Sequence, residues 1–308
     1  MLTTLTMNPC MDISVQTEHL NPGGVSRLLS IREDPGGKGI NAAHAFQRLG
    51  GEACCIYPEF TENGDKLKVC LEEMEIKKKT VPSAGRLRTN LKILDRAAGT
   101  YTELNQKGSL LSRENQERLA SLTEEMAVQS KITAICGSLP EGVPEDYYRR
   151  LIPRLKEKSK VILDTSGRAL REGIHGKPFL IKPNLEEFSS LFGKSYQNYA
   201  EIVRDAEKLV EYGISMICVS MGERGAMLLS KKGIWYAPAL SLTVRGVQGA
   251  GDAMVGGISL GLEEGKGEEE LLAYGVAAAS ASLEKEGTQF CNREEFLRML
   301  SGIMVKRL

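Results

Sequence analysis

The 308-residue sequence lacks the features that mark nucleic-acid-binding, membrane and secreted proteins. It has no net charge, because forty basic residues balance forty acidic ones, so no electrostatic attraction to nucleic acid is expected. No apolar run approaches the roughly 20 residues of a membrane helix, and the N-terminus has no secretory signal. These absences favour a cytoplasmic protein that binds neither nucleic acid nor membrane.

Three chemical signatures are also missing. The seven cysteines are odd in number and never spaced as C-x-x-C, and only three histidines are present, which disfavours a zinc site. We therefore expect reduced thiols, as in a reducing compartment. The sequence contains neither a G-x-x-x-x-G-K-[ST] motif nor a protein-kinase catalytic loop, so those two phosphoryl-transfer classes are disfavoured.

Short β-branched runs alternate with amphipathic segments along most of the chain. Runs such as 132–136 and 216–220 are typical of strands, and segments such as 113–127 and 200–212 have helical periodicity. This alternation predicts a mostly parallel sheet with helices on both faces. The last third is mainly helical and no linker or repeat divides the chain, so we expect a single domain over residues 1–308.

Two segments, 12–33 and 86–105, break this alternation because they read as extended strands without a helix. Strands inserted between strand–helix units do not easily join a parallel core, so we expect a small separate sheet. It is either a lid over an active site or a decorative hairpin, and the pattern does not decide between them. Alternation also places Arg86, Arg88, Asn90 and Lys92 on one strand face, which is either solvated or binds phosphate.

The most informative segment is residues 247–257, VQGAGDAMVGG. The Gly249-Ala250-Gly251 turn precedes a predicted helix, so backbone N–H groups would be exposed at a helix N-terminus that favours anions. The next residue, Asp252, is placed to accept the proton of an attacking hydroxyl. The alternative is that Asp252 merely caps the helix after a glycine loop.

A second glycine-rich segment, residues 35–43 with the sequence PGGKGINAA, also leads into a helix. Its polar residues, Lys38 and Asn41, suit contacts to sugar hydroxyls or to a phosphate. Three small residues of the segment also fit G-x-G-x-x-A, the dinucleotide-binding fingerprint of a dehydrogenase. The preceding residues are polar and end in Pro35, unlike the buried first strand of a dinucleotide-binding fold, so this alternative is weaker.

Two shorter signals follow predicted strands. After the strand that ends at Ser220, the glycines Gly222 and Gly225 form either a nucleotide-phosphate turn or a plain hairpin turn. Asn184 and Glu187 lie one helical turn apart and are able to organise Mg²⁺ through water. The same two residues fit a capping box, which is the simpler interpretation.

The order of these segments resembles the ribokinase-like carbohydrate kinases, specifically their phosphofructokinase-B branch. The resemblance also includes TMNP at 6–9, CGSLPEG at 136–142, LDTSG at 163–167 and KPN at 182–184. It implies an ATP-dependent kinase built as an α/β fold, a three-layer α/β/α sandwich with a mostly parallel central sheet. It also implies a small β-sheet lid, which often pairs in a homodimer of this family.

The resemblance assigns a role to each matching residue. Asp252 would be the catalytic base, and Gly249, Ala250 and Gly251 would form an anion hole. ATP would lie against Asn184, Glu187, Ser220, Gly222, Gly225, Gly251, Ala278, Ala279 and Ser282, with Mg²⁺ held by Glu187 through water. The sugar phosphate would contact Asp12, Gly37, Lys38, Asn41, Arg88, Asn90, Ser138 and Asp252. Arg88 is the expected partner of the phosphate already on the sugar.

The lid sequences RTNLKI and TELN look most like members that convert fructose 1-phosphate to fructose 1,6-bisphosphate. Members that act on tagatose 6-phosphate or fructose 6-phosphate have nearly the same signatures. Val247, Gln248 and Ala253 depart from the residues usually found beside the base. Two interpretations lie outside the kinases. The first is a sugar-phosphate-binding protein without turnover, and the second is a dehydrogenase.

Overall fold

The computed structural model describes residues 1–285 and 287–308. Its strands are β1 (Leu2–Thr6), β2 (Cys10–Thr17), β3 (Leu28–Gly36), β4 (Ala53–Glu62), β5 (Lys77–Arg86), β6 (Arg88–Asp95), β7 (Thr100–Asn105), β8 (Ile132–Cys136), β9 (Lys160–Asp164), β10 (Leu180–Ile181), β11 (Met216–Ser220), β12 (Ala226–Ser230), β13 (Gly233–Ala237) and β14 (Lys306–Arg307). Its helices are α1 (Lys38–Arg48), α2 (Gly64–Glu73), α3 (Arg113–Gln129), α4 (Tyr147–Leu155), α5 (Gly167–Ile174), α6 (Leu185–Phe192), α7 (Tyr199–Tyr212), α8 (Ala250–Glu263), α9 (Glu268–Leu283) and α10 (Arg293–Leu300). None of the described helices is both long enough and apolar enough to span a membrane.

A ten-stranded sheet forms the centre, in the order β14-β13-β12-β11-β10-β9-β8-β1-β4-β5. Seven neighbouring strands run parallel, namely β5, β4, β1, β8, β9, β10 and β11. Strands β12, β13 and β14 extend the sheet in antiparallel fashion. Both faces of its inner strands are buried, as expected for a parallel sheet covered by helices. One face packs against α1, α2, α8, α9 and α10, and the other packs against α3 to α7. The predicted three-layer α/β/α architecture is confirmed.

A separate four-stranded sheet, hereafter the small sheet, has the order β3-β2-β6-β7. Its strands come from the two segments predicted to be extended. Strand β2 pairs antiparallel with β3 and parallel with β6, while β6 pairs antiparallel with β7. The prediction that Arg86 shares a face with Arg88 is wrong, because Arg86 ends β5 of the large sheet and Arg88 begins β6 of the small one.

Helix α8 is buried along nearly its whole length, and glycines allow the close approach of its neighbours. A Cβ on Gly256 would lie 2.9 Å from Ala45 Cβ of α1, and one on Gly257 would lie 2.4 Å from Tyr274 O of α9. The absence of a side chain at Gly256 and Gly257 therefore allows α8 to pack closely against α1 and α9. This packing fixes the position of the helix N-terminus, where Asp252 lies.

Candidate active site

A cavity of about 830 Å³ lies between the large sheet and the small sheet. Two helix N-termini reach it, that of α1 after the first glycine-rich segment and that of α8 after the second. The structure brings together at this cavity all the residues predicted to contact the sugar, the predicted base among them, and one residue of the predicted anion hole: Asp12, Gly37, Lys38, Asn41, Arg88, Asn90, Ser138 and Asp252, with Gly249. Segments far apart in sequence therefore meet in one site.

Asp252 lies in the first turn of α8, directly after the turn that Gly249 begins. Gly249 has a φ of 72°, a left-handed conformation that glycine adopts without strain. The Asp252 carboxylate is buried and accepts a hydrogen bond of 2.8 Å from Asn41 Nδ2 at its Oδ2. Burial, together with the negative charge of Asp164, raises the pKa of Asp252 to about 6, although Lys38, Asn41 and Lys182 act in the opposite direction.

A chain of alternating charges adjoins Asp252. Asp164 Oδ1 lies 3.2 Å from Lys38 Nζ and 3.4 Å from Lys182 Nζ, and Lys38 Nζ lies 3.4 Å from Glu187 Oε1. Burial alone would lower the pKa of Lys38, but the carboxylates of Asp164, Glu187 and Asp252 hold it well above its usual value. Lys38 is therefore a permanent cation at this site.

Lys182 extends this positive charge to the glycine turn. Its side chain is buried, and its Nζ would lie 3.3 Å from a Cβ placed on Gly251. An ammonium group and the N-terminus of α8 therefore face the same place, where an anion is favoured. No role was predicted for Lys182 or Asp164, although both belong to short motifs at the ends of strands.

Asn184 and Glu187 form the capping box that begins α6. Asn184 Oδ1 accepts from Glu187 N at 2.7 Å, and Asn184 N donates to Glu187 Oε2 at 2.9 Å. The capping interpretation is confirmed, and it leaves Glu187 Oε1 directed at Lys38. The Glu187 carboxylate thus caps α6 with one oxygen and contacts Lys38 with the other.

Whether a divalent cation fits this site depends on the carboxylates that pair with Lys38, those of Asp164 and Glu187. Within residues 1–285 and 287–308, no group of three or more acidic, histidine or cysteine side chains forms a metal cage. However, the buried Oδ2 of Asp164 has no hydrogen-bond partner among these residues. Mg²⁺ keeps several waters and commonly uses one or two carboxylates with substrate phosphates, so Asp164 and Glu187 suit such a cation.

The residues predicted to approach ATP lie beside the cavity rather than in its lining. Ser220 ends β11, where it bridges to Asn184, and Gly222 begins a short 3₁₀ turn. Of the three α9 residues predicted to lie near adenine, Ala278 and Ser282 are buried inside the helical layer. Ala279 is partly exposed, so among these three it is the residue with surface accessible to a nucleotide.

On the small sheet, Asp12 is held by two neighbouring side chains. Asp12 Oδ2 accepts from Lys92 Nζ at 2.8 Å, and Asp12 Oδ1 accepts from Asn90 Nδ2 at 2.9 Å. Cys10 lies against both residues, and burial strongly raises the pKa of its thiol. The thiol is therefore a neutral packing group rather than a nucleophile.

Arg88 also lines the cavity, but its guanidinium is largely occupied by the protein. Nε and Nη2 donate to the carbonyl of Asn8 at 3.1 and 2.9 Å. Nη1 donates to Asn90 Oδ1 at 3.3 Å and to the carbonyl of Gln106 at 3.2 Å. Four hydrogen bonds leave one of the five guanidinium N–H groups for a ligand.

Comparisons with known proteins agree with this geometry. Residues 5–295 match the family described as "pfkB family carbohydrate kinase". A Bacillus subtilis (strain 168) protein named "1-phosphofructokinase" is 32% identical over 318 aligned positions, which cover 100% of each chain. The "ATP-dependent 6-phosphofructokinase isozyme 2" of Escherichia coli (strain K12) is 31% identical over 297 positions, covering 95% of each. The structure of phosphofructokinase-2 from Escherichia coli with substrates and products superimposes with a TM-score of 0.90, 29% identity and 98% coverage of each chain.

Proposed function

Because the chain belongs to the pfkB family of carbohydrate kinases, we propose that it transfers the terminal phosphoryl group of ATP to fructose 1-phosphate, giving fructose 1,6-bisphosphate and ADP. The observation that carries this proposal is Asp252, a buried carboxylate at a helix N-terminus that faces a cavity between two sheets. Its pKa of about 6 suits a general base, because the group is ionised at pH 7 yet binds a proton readily.

The proposed chemistry begins with Asp252 and its hydrogen bond from Asn41. Asn41 occupies Oδ2, so Oδ1 remains available to accept the proton of the sugar hydroxyl. The hydroxyl oxygen then attacks the phosphorus, the bond to the ADP oxygen breaks, and the proton passes from Asp252 to solvent. A positioned base of this kind typically accelerates the reaction about 10²–10⁴-fold.

Charge on the transferring phosphoryl group is stabilised by the α8 N-terminus. The first N–H groups of a helix have no partner inside the helix, and here they belong to the turn of Gly249, Ala250 and Gly251. Lys182 adds a fixed ammonium group beside the same turn. When bound, Mg²⁺ would neutralise phosphate charge, and Asp164 together with Glu187 would hold it through water.

ATP would approach from the carboxyl ends of the strands of the large sheet, where Ser220 ends β11 and is followed by Gly222 and Gly225. Gly225 has a φ of 80°, and a Cβ there would lie 2.1 Å from the carbonyl oxygen of Ala237. Glycine is therefore required at this position by the close packing of the turn against Ala237. The partly exposed Ala279 is the α9 residue that we assign to the adenine side.

The sugar phosphate would lie in the cavity between this reaction centre and the small sheet. Hydroxyl groups would meet Asp12, Gly37, Lys38, Asn41 and Ser138, with Arg88 and Asn90 at the far end. The whole chain would then act as one catalytic domain, with the small sheet as its lid. The full-length relative named 1-phosphofructokinase supports fructose 1-phosphate as the acceptor.

Other acceptors and another class of function are the alternatives. Fructose 6-phosphate is favoured by the relative named 6-phosphofructokinase isozyme 2, and tagatose 6-phosphate remains a third acceptor. A sugar-phosphate-binding protein without turnover is disfavoured by the presence of Asp252 and its glycine turn. All seven cysteines are free thiols, which supports a reducing compartment such as the cytoplasm.

The small sheet also supports a homodimer. Five large apolar residues on it are 52–61% exposed: Leu28, Leu29, Ile31, Tyr101 and Leu104. They lie on its two outer strands, β3 and β7, and exposed apolar surface of this kind often marks an interface with another protein. A second copy of the chain, paired through the small sheet, would bury them.

A panel assay tests this proposal. Purified protein is incubated with ATP and Mg²⁺ and with fructose 1-phosphate, fructose 6-phosphate or tagatose 6-phosphate, and ADP release is measured. We expect the highest kcat/KM with fructose 1-phosphate and near-complete loss in Asp252→Asn. A higher value for another sugar phosphate would correct the acceptor, whereas no turnover with any acceptor would refute the proposed kinase reaction.

A further inference from the structure

Four cationic side chains line the cavity: Lys38, Arg88, Lys92 and Lys107. Two of them are already neutralised by carboxylates. Lys38 pairs with Asp164 and Glu187, and Lys92 pairs with Asp12 at 2.8 Å. These two ammonium groups are therefore already held by carboxylates of the protein.

The other two cations, Arg88 and Lys107, form no ion pair within residues 1–285 and 287–308. The acidic residues of the cavity rim, Glu103 and Glu141, pair with neither of them; Glu103 instead accepts a weak hydrogen bond of 3.4 Å from Asn105. Glu103, Glu141 and Asp252 also line the cavity, so its charges are mixed, but among the described residues no carboxylate pairs with Arg88 or Lys107. These two are therefore the cations of the lining that a phosphate monoester, which carries close to two negative charges at neutral pH, can contact without displacing a carboxylate.

Arg88 cannot bind such a phosphate in the usual two-pronged way. Four of its hydrogen bonds go to protein acceptors, which include the carbonyls of Asn8 and Gln106. Its remaining N–H can supply one contact, while its charge acts on the whole cavity. A second donor is therefore needed for firm binding.

Lys107 has the position and the freedom of that second donor. Its own carbonyl accepts from Asn8 Nδ2 at 3.0 Å, and the carbonyl of Gln106 before it accepts from Arg88. The next residue, Gly108, packs so closely that an added Cβ would lie 2.2 Å from Asn8 Oδ1. The backbone is fixed on both sides, yet the exposed Nζ has no hydrogen-bond partner among the described residues.

We propose that Lys107 binds the phosphate group that the sugar substrate already carries, and that it thereby determines the preference for phosphorylated over unphosphorylated sugars. This assignment rests on the proposed sugar-phosphate kinase function. Lys107 supplies a mobile ammonium group with three N–H donors, and Arg88 supplies a fixed charge with one. Asn8 contacts both residues, because its side chain donates to the carbonyl of Lys107 and its own carbonyl accepts from Arg88.

The test compares Lys107→Met with Lys107→Arg, which keeps the charge, and with Lys156→Met, which removes an exposed lysine at the end of α4. In Lys107→Met we expect KM for the best sugar phosphate to rise about tenfold, equivalent to about 1.4 kcal/mol. KM for ATP should change less than twofold. Lys107→Arg should recover most of the loss, and Lys156→Met should behave as the wild type.

Inorganic phosphate provides a second measurement on the same variants. As a competitive inhibitor against the sugar phosphate, it should bind several-fold more weakly to Lys107→Met than to the wild type. An unchanged KM and unchanged inhibition would overturn the assignment, as would equal losses for sugar phosphate and ATP. Absence of turnover in the wild type would instead refute the proposed function. Binding of fructose 1-phosphate, measured by calorimetry on wild type and variant, would then still test Lys107 alone.

Discussion

Replacing Asp252 with Asn is expected to remove most of the activity and, at the same time, to make the folded protein more stable at pH 8. Activity falls because an amide does not accept the hydroxyl proton, so kcat should drop at least about 10²-fold. Stability rises because the substitution removes a buried charge. The amide oxygen of the new side chain still accepts the hydrogen bond from Asn41, so that contact is kept.

The size of the stability change follows from the pKa of Asp252. Burial and the charge of Asp164 raise this pKa from its ordinary 3.8 to about 6. Raising a pKa by one corresponds to about 1.36 kcal/mol, so the wild type loses about 3 kcal/mol on ionisation of this group. A raised carboxyl pKa means that the folded state binds more protons than the unfolded state. Protonated Asp252 therefore contributes its full stabilisation of the folded state below about pH 4, and this stabilisation is lost as the pH rises through about 6.

Urea denaturation of both proteins at pH 4, 6 and 8 measures this effect. The variant should gain in free energy of unfolding relative to the wild type as the pH rises, by up to about 3 kcal/mol at pH 8. In wild-type kinetics, kcat/KM should fall below about pH 6, because the free base becomes protonated. The reasoning is refuted by near-normal turnover of the variant, or by a stability difference that does not vary with pH.

Asp205→Asn is the matched control, because Asp205 is also a buried carboxylate but lies outside the cavity. Although burial opposes it, hydrogen bonds from Lys194, Lys208 and Tyr196 lower the pKa of Asp205 to about 2. Its ionised form therefore stabilises the fold above about pH 4, and this contribution is lost as the pH falls towards 2. The control should be less stable than the wild type at pH 8 and should keep its turnover.

Three further predictions concern packing, the sugar phosphate and the small sheet. Gly257→Ala should cost about 1–3 kcal/mol in urea unfolding, because its Cβ would clash with Tyr274 O; Gly64→Ala, which has open space around it, should change stability little. Arg88→Ala should reduce kcat/KM for the sugar phosphate by roughly 10–150-fold and for an unphosphorylated sugar much less; equal losses would place the phosphate elsewhere. Amides of β2 and β6 should exchange more slowly with saturating sugar phosphate, and unchanged exchange would count against a lid.

Much of the fold follows from local sequence patterns. The apolar runs at 132–136 and 216–220 coincide with β8 and β11, and the periodic segment at 200–212 lies within α7. Strands β12 and β13 were not predicted, because they follow β11 through tight turns instead of the helices that join the parallel strands. The strand–helix alternation contains no signal for this antiparallel extension, although the hairpin-turn interpretation of Gly222 and Gly225 agrees with the β11–β12 pairing.

The site was predictable where one segment carries the whole feature. The glycine turn with Asp252 and the capping box of Asn184 and Glu187 are local patterns, and the structure contains both. The contacts of Asp164 with Lys38 and Lys182 were not predicted, because they join the ends of separate strands and helices. The arrangement around Arg88 was missed for the same reason, since carbonyl groups from other segments occupy its donors.

The contrast between Asp205 and Asp252 explains how the fold keeps a base available. Asp205 has two lysines of its own, whereas the two lysines nearest Asp252 both bind Asp164 instead. Lys38 and Lys182 still lower the pKa of Asp252, but burial and the negative charge of Asp164 outweigh them. The same lysines remain positive beside the turn where a phosphoryl group would lie. Asp164 thus holds Lys38 and Lys182 where a phosphate needs positive charge, and it leaves Asp252 as the proton acceptor for the hydroxyl. The folded state is less stable at neutral pH as a consequence, because Asp252 is ionised while buried.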